Sequence, residues 1–242
     1  MAGHSKYANI KHRKAAQDAK RTKLFSKAAK ELIVAAKGGD DPDGNARLRT
    51  AIIAAKAVNL PKDRIEHAIK KGSGNLEGNN YEEIRYEAYG PSGSAFIVEC
   101  LTDSRNRAAA SVRSYFTKYG GSLAENGSVA FMFDHKGVIR FDKEVAPDDE
   151  IFEEAVLLGA DSVESDEDLH EVQTELQSFT EIRDSLIDKY GDPASAALEW
   201  IAQNMIDLDP AKVASMHKLI DVLEEDDDVQ NFYTNAIIPE EE

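Results

Sequence analysis

Up to about residue 72, apolar positions recur at steps of three and four, the period of helices packed on one face. From Tyr81 onward much of the chain instead alternates apolar and polar residues, the period of strands. The first helix is expected from about Ile10 to Lys37, in a Lys/Ala-rich stretch that Gly38-Gly39 stops. Asp40–Gly44 reads as a turn. A second helix spans about Asn45 to Val58, with Leu48, Ile52 and Ala55 on one face. Pro61 opens a third, which ends at Lys70-Lys71 before Gly72-Ser-Gly74.

Beyond a linker at 74–80, Tyr81–Tyr89 and Ser94–Leu101 form a hairpin about Gly90–Gly93. Asn106–Tyr119 is helical, with Val112, Tyr115 and Phe116 as core positions. Ser128–Phe133 and Gly137–Phe141 are expected as a second hairpin turning at Asp134-His-Lys136. Pro147–Leu158 is a helix with Ile151, Phe152, Ala155 and Val156 inward. Short strands follow near Asp161–Val163 and His170–Glu175, then a helix over Phe179–Tyr190 and a strand over Ala196–Met205. A helix over Pro210–Leu223 buries Val213, Met216, Leu219, Ile220 and Leu223, and Val229–Tyr233 is a last strand. Helices first and mixed elements afterwards give an α+β chain, with an N-terminal three-helix domain joined to α+β material.

Charge changes this picture. The chain of 242 residues has a formal net charge of −16, which alone argues against a nucleic-acid partner. Residues 1–71, however, hold 17 Lys and Arg against 7 Asp and Glu, a net of +10 that leaves −26 for the remainder. Lys20, Lys23, Lys27, Lys30 and Lys37 fall within a sector of about 100° on one helix, and Leu24, Phe25, Ala28, Leu32 and Ile33 lie on the other side. Lys6, Lys11, Arg13, Lys14 and Arg21 extend the positive field toward the N-terminus, where His4, Ser5, Tyr7 and His12 add groups that stack on or hydrogen-bond to bases. A row of cations neutralises successive phosphates and releases their counterions. An ordinary solvated face would intersperse glutamates for pairing, yet the first glutamate is Glu31. Acidic proteins and anionic lipid remain open as alternative polyanions.

Other features are weaker. Arg105 and Arg107 open a helix behind Asp103-Ser104 and suit either capping structure or phosphate contact. The stretch 161–182 holds eight carboxylates and no Lys or Arg, and 224–228 is Glu-Glu-Asp-Asp-Asp. Both read as solvated runs that repel nucleic acid, with a Mg²⁺-dependent nuclease as the sharper rival. The single cysteine, Cys100, excludes an internal disulfide and reads as a buried, reduced thiol. No catalytic triad motif, phosphate loop or metal spacing stands out, so no cofactor and no enzymatic activity are expected. No run approaches the roughly 18 apolar residues of a membrane span and no apolar leader opens the sequence, so a cytoplasmic protein, monomeric or weakly dimeric, is expected.

The opening segment Met1–Lys27 resembles that of the YebC family, as do Asn59–Gly74, Tyr86–Gly93, Val98–Arg107, Gly127–Phe131 and Asp227–Tyr233. The likeness is collinear over the whole chain. Tyr7 stands where that family usually has Trp, and the stretch around Ala194–Asn204 is less typical. The family comprises bacterial transcriptional regulators and related mitochondrial translational activators. The resemblance implies three domains: residues 1–75, residues 80–133 with 208–242, and a ferredoxin-like α+β domain at 134–207 inserted in the second. It also implies nucleic acid as the partner, DNA first and ribosomal RNA second, bound through the basic domain.

Overall fold

The computed structural model describes residues 17–74 and 80–239, with side chains from residue 21. Among these, seven helices are α1 (Gln17–Ala35), α2 (Ala46–Ala57), α3 (Lys62–Ser73), α4 (Arg105–Lys118), α5 (Asp148–Leu157), α6 (Phe179–Tyr190) and α7 (Val213–Glu225). The strands are β1 (Glu82–Tyr89), β2 (Ala95–Thr102), β3 (Ser122–Leu123), β4 (Phe133–Asp142), β5 (Ser162–Ser165), β6 (Leu169–Thr174), β7 (Ser195–Ala202), β8 (Ile206–Asp207), β9 (Val229–Thr234) and β10 (Ala236–Ile237). The fold is α+β, a helical region followed by antiparallel sheets. Its described residues group into two compact units, one of residues 28–74 and 135–199, the other of 17–27, 80–134 and 200–239.

In the first unit, the turn after α1 is pinned by Asn45. Its side-chain oxygen accepts the Leu48 N–H at 3.1 Å and so caps α2. Its amide nitrogen donates to the carbonyls of Ala35 and Gly39, each at 2.8 Å. Helix α3 crosses α1 closely at Gly72, where a Cβ would sit 2.2 Å from the Ile33 carbonyl oxygen and 2.8 Å from the Ala36 Cβ. The sequence marks Gly72 as a helix stop. In the structure the helix runs through it, and its lack of a side chain admits the neighbouring backbone.

The sheet of this unit has the order β5-β6-β4-β7, with α5 after β4 and α6 after β6. That is the strand–helix–strand–strand–helix–strand arrangement of a ferredoxin-like fold. Ile139, Phe141, Ile151, Phe179, Ile182 and Leu186 form its core, and Ile53 of α2 belongs to the same cluster. Arg183 of α6 is fully buried. It donates to the Thr50 hydroxyl at 2.6 Å and lies over the Phe179 ring, while Arg49 pairs with Asp184 at 2.5 Å. The second helix is thus fastened to the ferredoxin-like layer by both apolar and ionic contacts. On the three adjacent strands, Arg140 is bonded to Glu199 at 2.7 and 3.0 Å and to Glu171 at 2.7 Å.

The second unit is built on a sheet of order β3-β1-β2-β9. β1 and β2 form the expected hairpin, in register from Glu82↔Thr102 to Tyr89↔Ala95. β2 is apolar on both faces because both are covered. Phe96, Val98 and Cys100 meet Val112 and Phe116 of α4 and Met216, Leu219 and Leu223 of α7. Ala95 and Ile97 meet Val129, Phe133 and Tyr233 on the other side. Glu87 is buried and accepts the N–H groups of Gly127, Val129 and Ala130 at 2.7–2.9 Å.

Two expectations are corrected. Residues 128–141 do not form a hairpin, since 130–132 is a short 3-10 turn and β4 runs unbroken from Phe133 to Asp142. The polar trio 134–136 does not need a turn. Asp134 accepts from Gln203 at 2.9 Å, and Lys136 is held between Asp161 and Glu175. Phe152 and Val156 do not face inward either, being 50% and 49% exposed. The covered stripe of α5 is only as wide as Ile151 and Ala155, narrower than its apolar sequence.

Candidate nucleic-acid interface

Of the sequence-derived contact residues, His4, Ser5, Lys6, Tyr7, Lys11, Arg13 and Lys14 lie outside the described residues. Lys20 lies in α1, and its side chain is likewise outside them. Each of the rest already has a contact within the fold.

In the second unit, α1 approaches the C-terminal end of α7. Lys27 donates its ammonium to the Glu224 carbonyl at 3.0 Å, and Lys23 reaches the Glu225 carbonyl. Terminal carbonyls of a helix have no partner within it and form the negative end of its dipole, so a lysine there stabilises the helix. Both lysines were expected to project into solvent, and both are half-buried. Arg21 stacks over the Phe25 ring at 5.2 Å. Lys30, in the first unit, is half-buried too.

Arg107 is 54% exposed but committed. It makes two bonds of 2.8 Å to the buried Asp228 and one of 2.8 Å to Asp103. The hydrogen bonds it donates to Asp228 and Asp103 raise its pKa above the ordinary arginine value. Arg105 pairs with Glu82 at 3.2 Å and stays exposed. The cap of α4 is Ser104, which accepts the Arg107 N–H.

The acidic runs are largely employed too. Asp161 and Glu175 hold Lys136, Glu171 holds Arg140, and Asp166 accepts the N–H groups of Asp168 and Leu169. Asp226 accepts the Tyr115 hydroxyl at 2.9 Å. Among the described residues no group of three or more His, Cys, Asp and Glu is arranged to hold a metal ion. Cys100 is buried, and burial followed by the charges of Asp226 and Asp228 pushes its thiol up to about 12. It is a neutral core side chain.

Sequence reasoning passed over α3. Arg64, His67 and Lys70 are exposed and Lys71 is half-buried, whereas Ala68 is buried and Ile65 and Ile69 are partly so. Counting 100° per residue, the signal used for α1, places those four within about 120° of one another and opposite the apolar side. The side chains of Arg64, His67, Lys70 and Lys71 make no hydrogen bond or ion pair with another described residue. By contrast, Lys62 lies 4.0 Å from Glu66.

A family model described as the TACO1/YebC N-terminal domain matches residues 5–75, and one described as the TACO1/YebC second and third domain, labelled Transcrip_reg, matches residues 81–236. The chain is also similar to the crystal structure of a conserved hypothetical protein, Aq1575, from Aquifex aeolicus. The two are 42% identical with a TM-score of 0.86, and the match covers 98% of each chain. Basic helical region, sheet order and both family matches agree: this chain belongs to the TACO1/YebC family.

Proposed function

We propose that the chain is a nucleic-acid-binding regulator that grips phosphate through its basic N-terminal region and acts by binding rather than by catalysis. The observation that carries this reading is the charge division, +10 over residues 1–71 against −26 over the rest. The positive part coincides with the segment matched as the family's N-terminal domain. The contact set is His4, Ser5, Lys6, Tyr7, Lys11, Arg13, Lys14, Lys20 and Arg21, with Lys23, Lys27, Lys30, Arg105 and Arg107 at its margin because the fold already engages them. The domain limits proposed are 1–75, 80–133 with 208–242, and 134–207. No helix among the described residues is long and apolar enough to cross a membrane, and the cytoplasm is the proposed location.

The label Transcrip_reg supports duplex DNA as the first target. A second reading, a translation factor on ribosomal RNA, is favoured by the −26 body, which is repelled along a bare duplex. Genomic crosslinking compared with co-sedimentation on ribosomes separates the two. Recovery of DNA without ribosomes supports transcriptional regulation. Recovery with ribosomes and no DNA overturns it in favour of translation.

A further inference from the structure

We infer that the outward face of α3, with Lys37 from the turn after α1, is a second phosphate-binding surface. The inference rests on the nucleic-acid reading above and joins residues of α3, which the lysine row does not include, to Lys37, which the sequence places in that row but the structure places in the 3-10 turn Ala36–Gly38 beyond α1. Arg64, Lys70 and Lys71 lie on one side of α3 and have no ionic partner among the described residues. Seven residues at 1.5 Å each spread Arg64 and Lys71 over about 10 Å of helix, so they meet different phosphates.

The crossing at Gly72 supplies the fourth cation. The added-Cβ distances of 2.2 Å to the Ile33 oxygen and 2.8 Å to the Ala36 Cβ bring the backbone before Lys37 against the last turn of α3. Lys37 is exposed and follows Ala36 directly. Three cations therefore gather at one end of the helix pair and Arg64 extends the row. Asp63 shares that side at the first turn, where it complements the positive end of the helix dipole. Anion contact is therefore strongest toward Lys70 and Lys71. His67 sits between Arg64 and Lys70 and adds a ring able to donate a hydrogen bond or stack.

Lysines in the last turn of a helix also stabilise it, so the test must separate support from binding. The full chain, wild type and Lys37→Gln/Arg64→Gln/Lys70→Gln/Lys71→Gln, is titrated against a duplex DNA and against an RNA hairpin over a range of salt. Each lost phosphate contact lowers the log–log salt slope by about one. The slope is expected to fall by about three to four for the four neutralised cations, with thermal midpoint nearly unchanged. The charge-conserving variant Lys37→Arg/Arg64→Lys/Lys70→Arg/Lys71→Arg is expected to keep the wild-type slope. A neutralised variant with the wild-type slope overturns the inference and leaves the general reading standing. Loss of slope in the charge-conserving variant also overturns it, because that assigns the effect to structure. A wild type with no salt-dependent binding to either probe overturns the general reading and this surface with it.

Discussion

Lys27 and Lys70 occupy helices of the same basic region, and the fold uses them differently. The ammonium of Lys27 closes the end of α7, beside the acidic residues 224–228. That of Lys70 faces solvent with no partner among the described residues. A cation that holds a terminal carbonyl is partly neutralised and must abandon that bond to reach a phosphate. A solvated cation gives up only counterions. Sequence charge alone treats the two as equal, and only the fold distinguishes the engaged cation from the solvated one.

Several changes break or sharpen this contrast. The largest effect is expected at a cation wholly spent on structure. Arg140→Met leaves Glu199 and Glu171 without their partner on a covered strand, a loss of about 3–5 kcal/mol in denaturant unfolding. Next is Gly72→Val, whose side chain must displace the Ile33 backbone and push α3 off α1. It is expected to cost about 3 kcal/mol and to weaken nucleic-acid binding as well, since the crossing aligns Lys37 with Lys70. Unchanged stability would remove the close crossing from the account.

A carboxylate held by the fold gives the acidic counterpart. Burial pushes the Glu87 carboxyl up, but three backbone N–H donors outweigh it and hold the pKa below the usual range. The charged form is therefore favoured by folding. Its contribution is present above the unfolded carboxylate pKa and disappears as pH falls through the lower, folded value. Glu87→Gln is expected to cost about 1–3 kcal/mol at neutral pH and to flatten the acid limb of stability against pH. An identical acid limb in the variant would contradict the assignment. The smallest stability effect is expected at Lys27→Gln, about 0.5–1 kcal/mol from the lost contact with the end of α7.

Much of this was legible in the chain. Phe179–Tyr190 is a helix with the predicted ends, and the 82–102 hairpin sits on its Gly-Pro-Ser-Gly turn. The ferredoxin-like sheet was expected from family resemblance, while its strand order came from pairings between distant segments. The trio 134–136 looked like a turn because its polarity is satisfied by Asp161, Glu175 and Gln203, all remote in sequence. The same limit applies to the basic row. Its helical phase is written locally, but the carbonyls that engage Lys23 and Lys27 lie 202 and 197 residues away. The α3 face was readable with the same 100° rule and was overshadowed by the denser lysine row before it.

The central claim is that unengaged cations of the basic region contact phosphate. Acetylation of lysines in the full chain, read residue by residue by mass spectrometry with and without bound nucleic acid, tests it most directly. Lys37, Lys70 and Lys71 should react freely in the protein alone and become protected in the complex, while Lys23 and Lys27 change little. If all five react alike in both states while binding is confirmed, the phosphate does not lie on this region and the account is wrong.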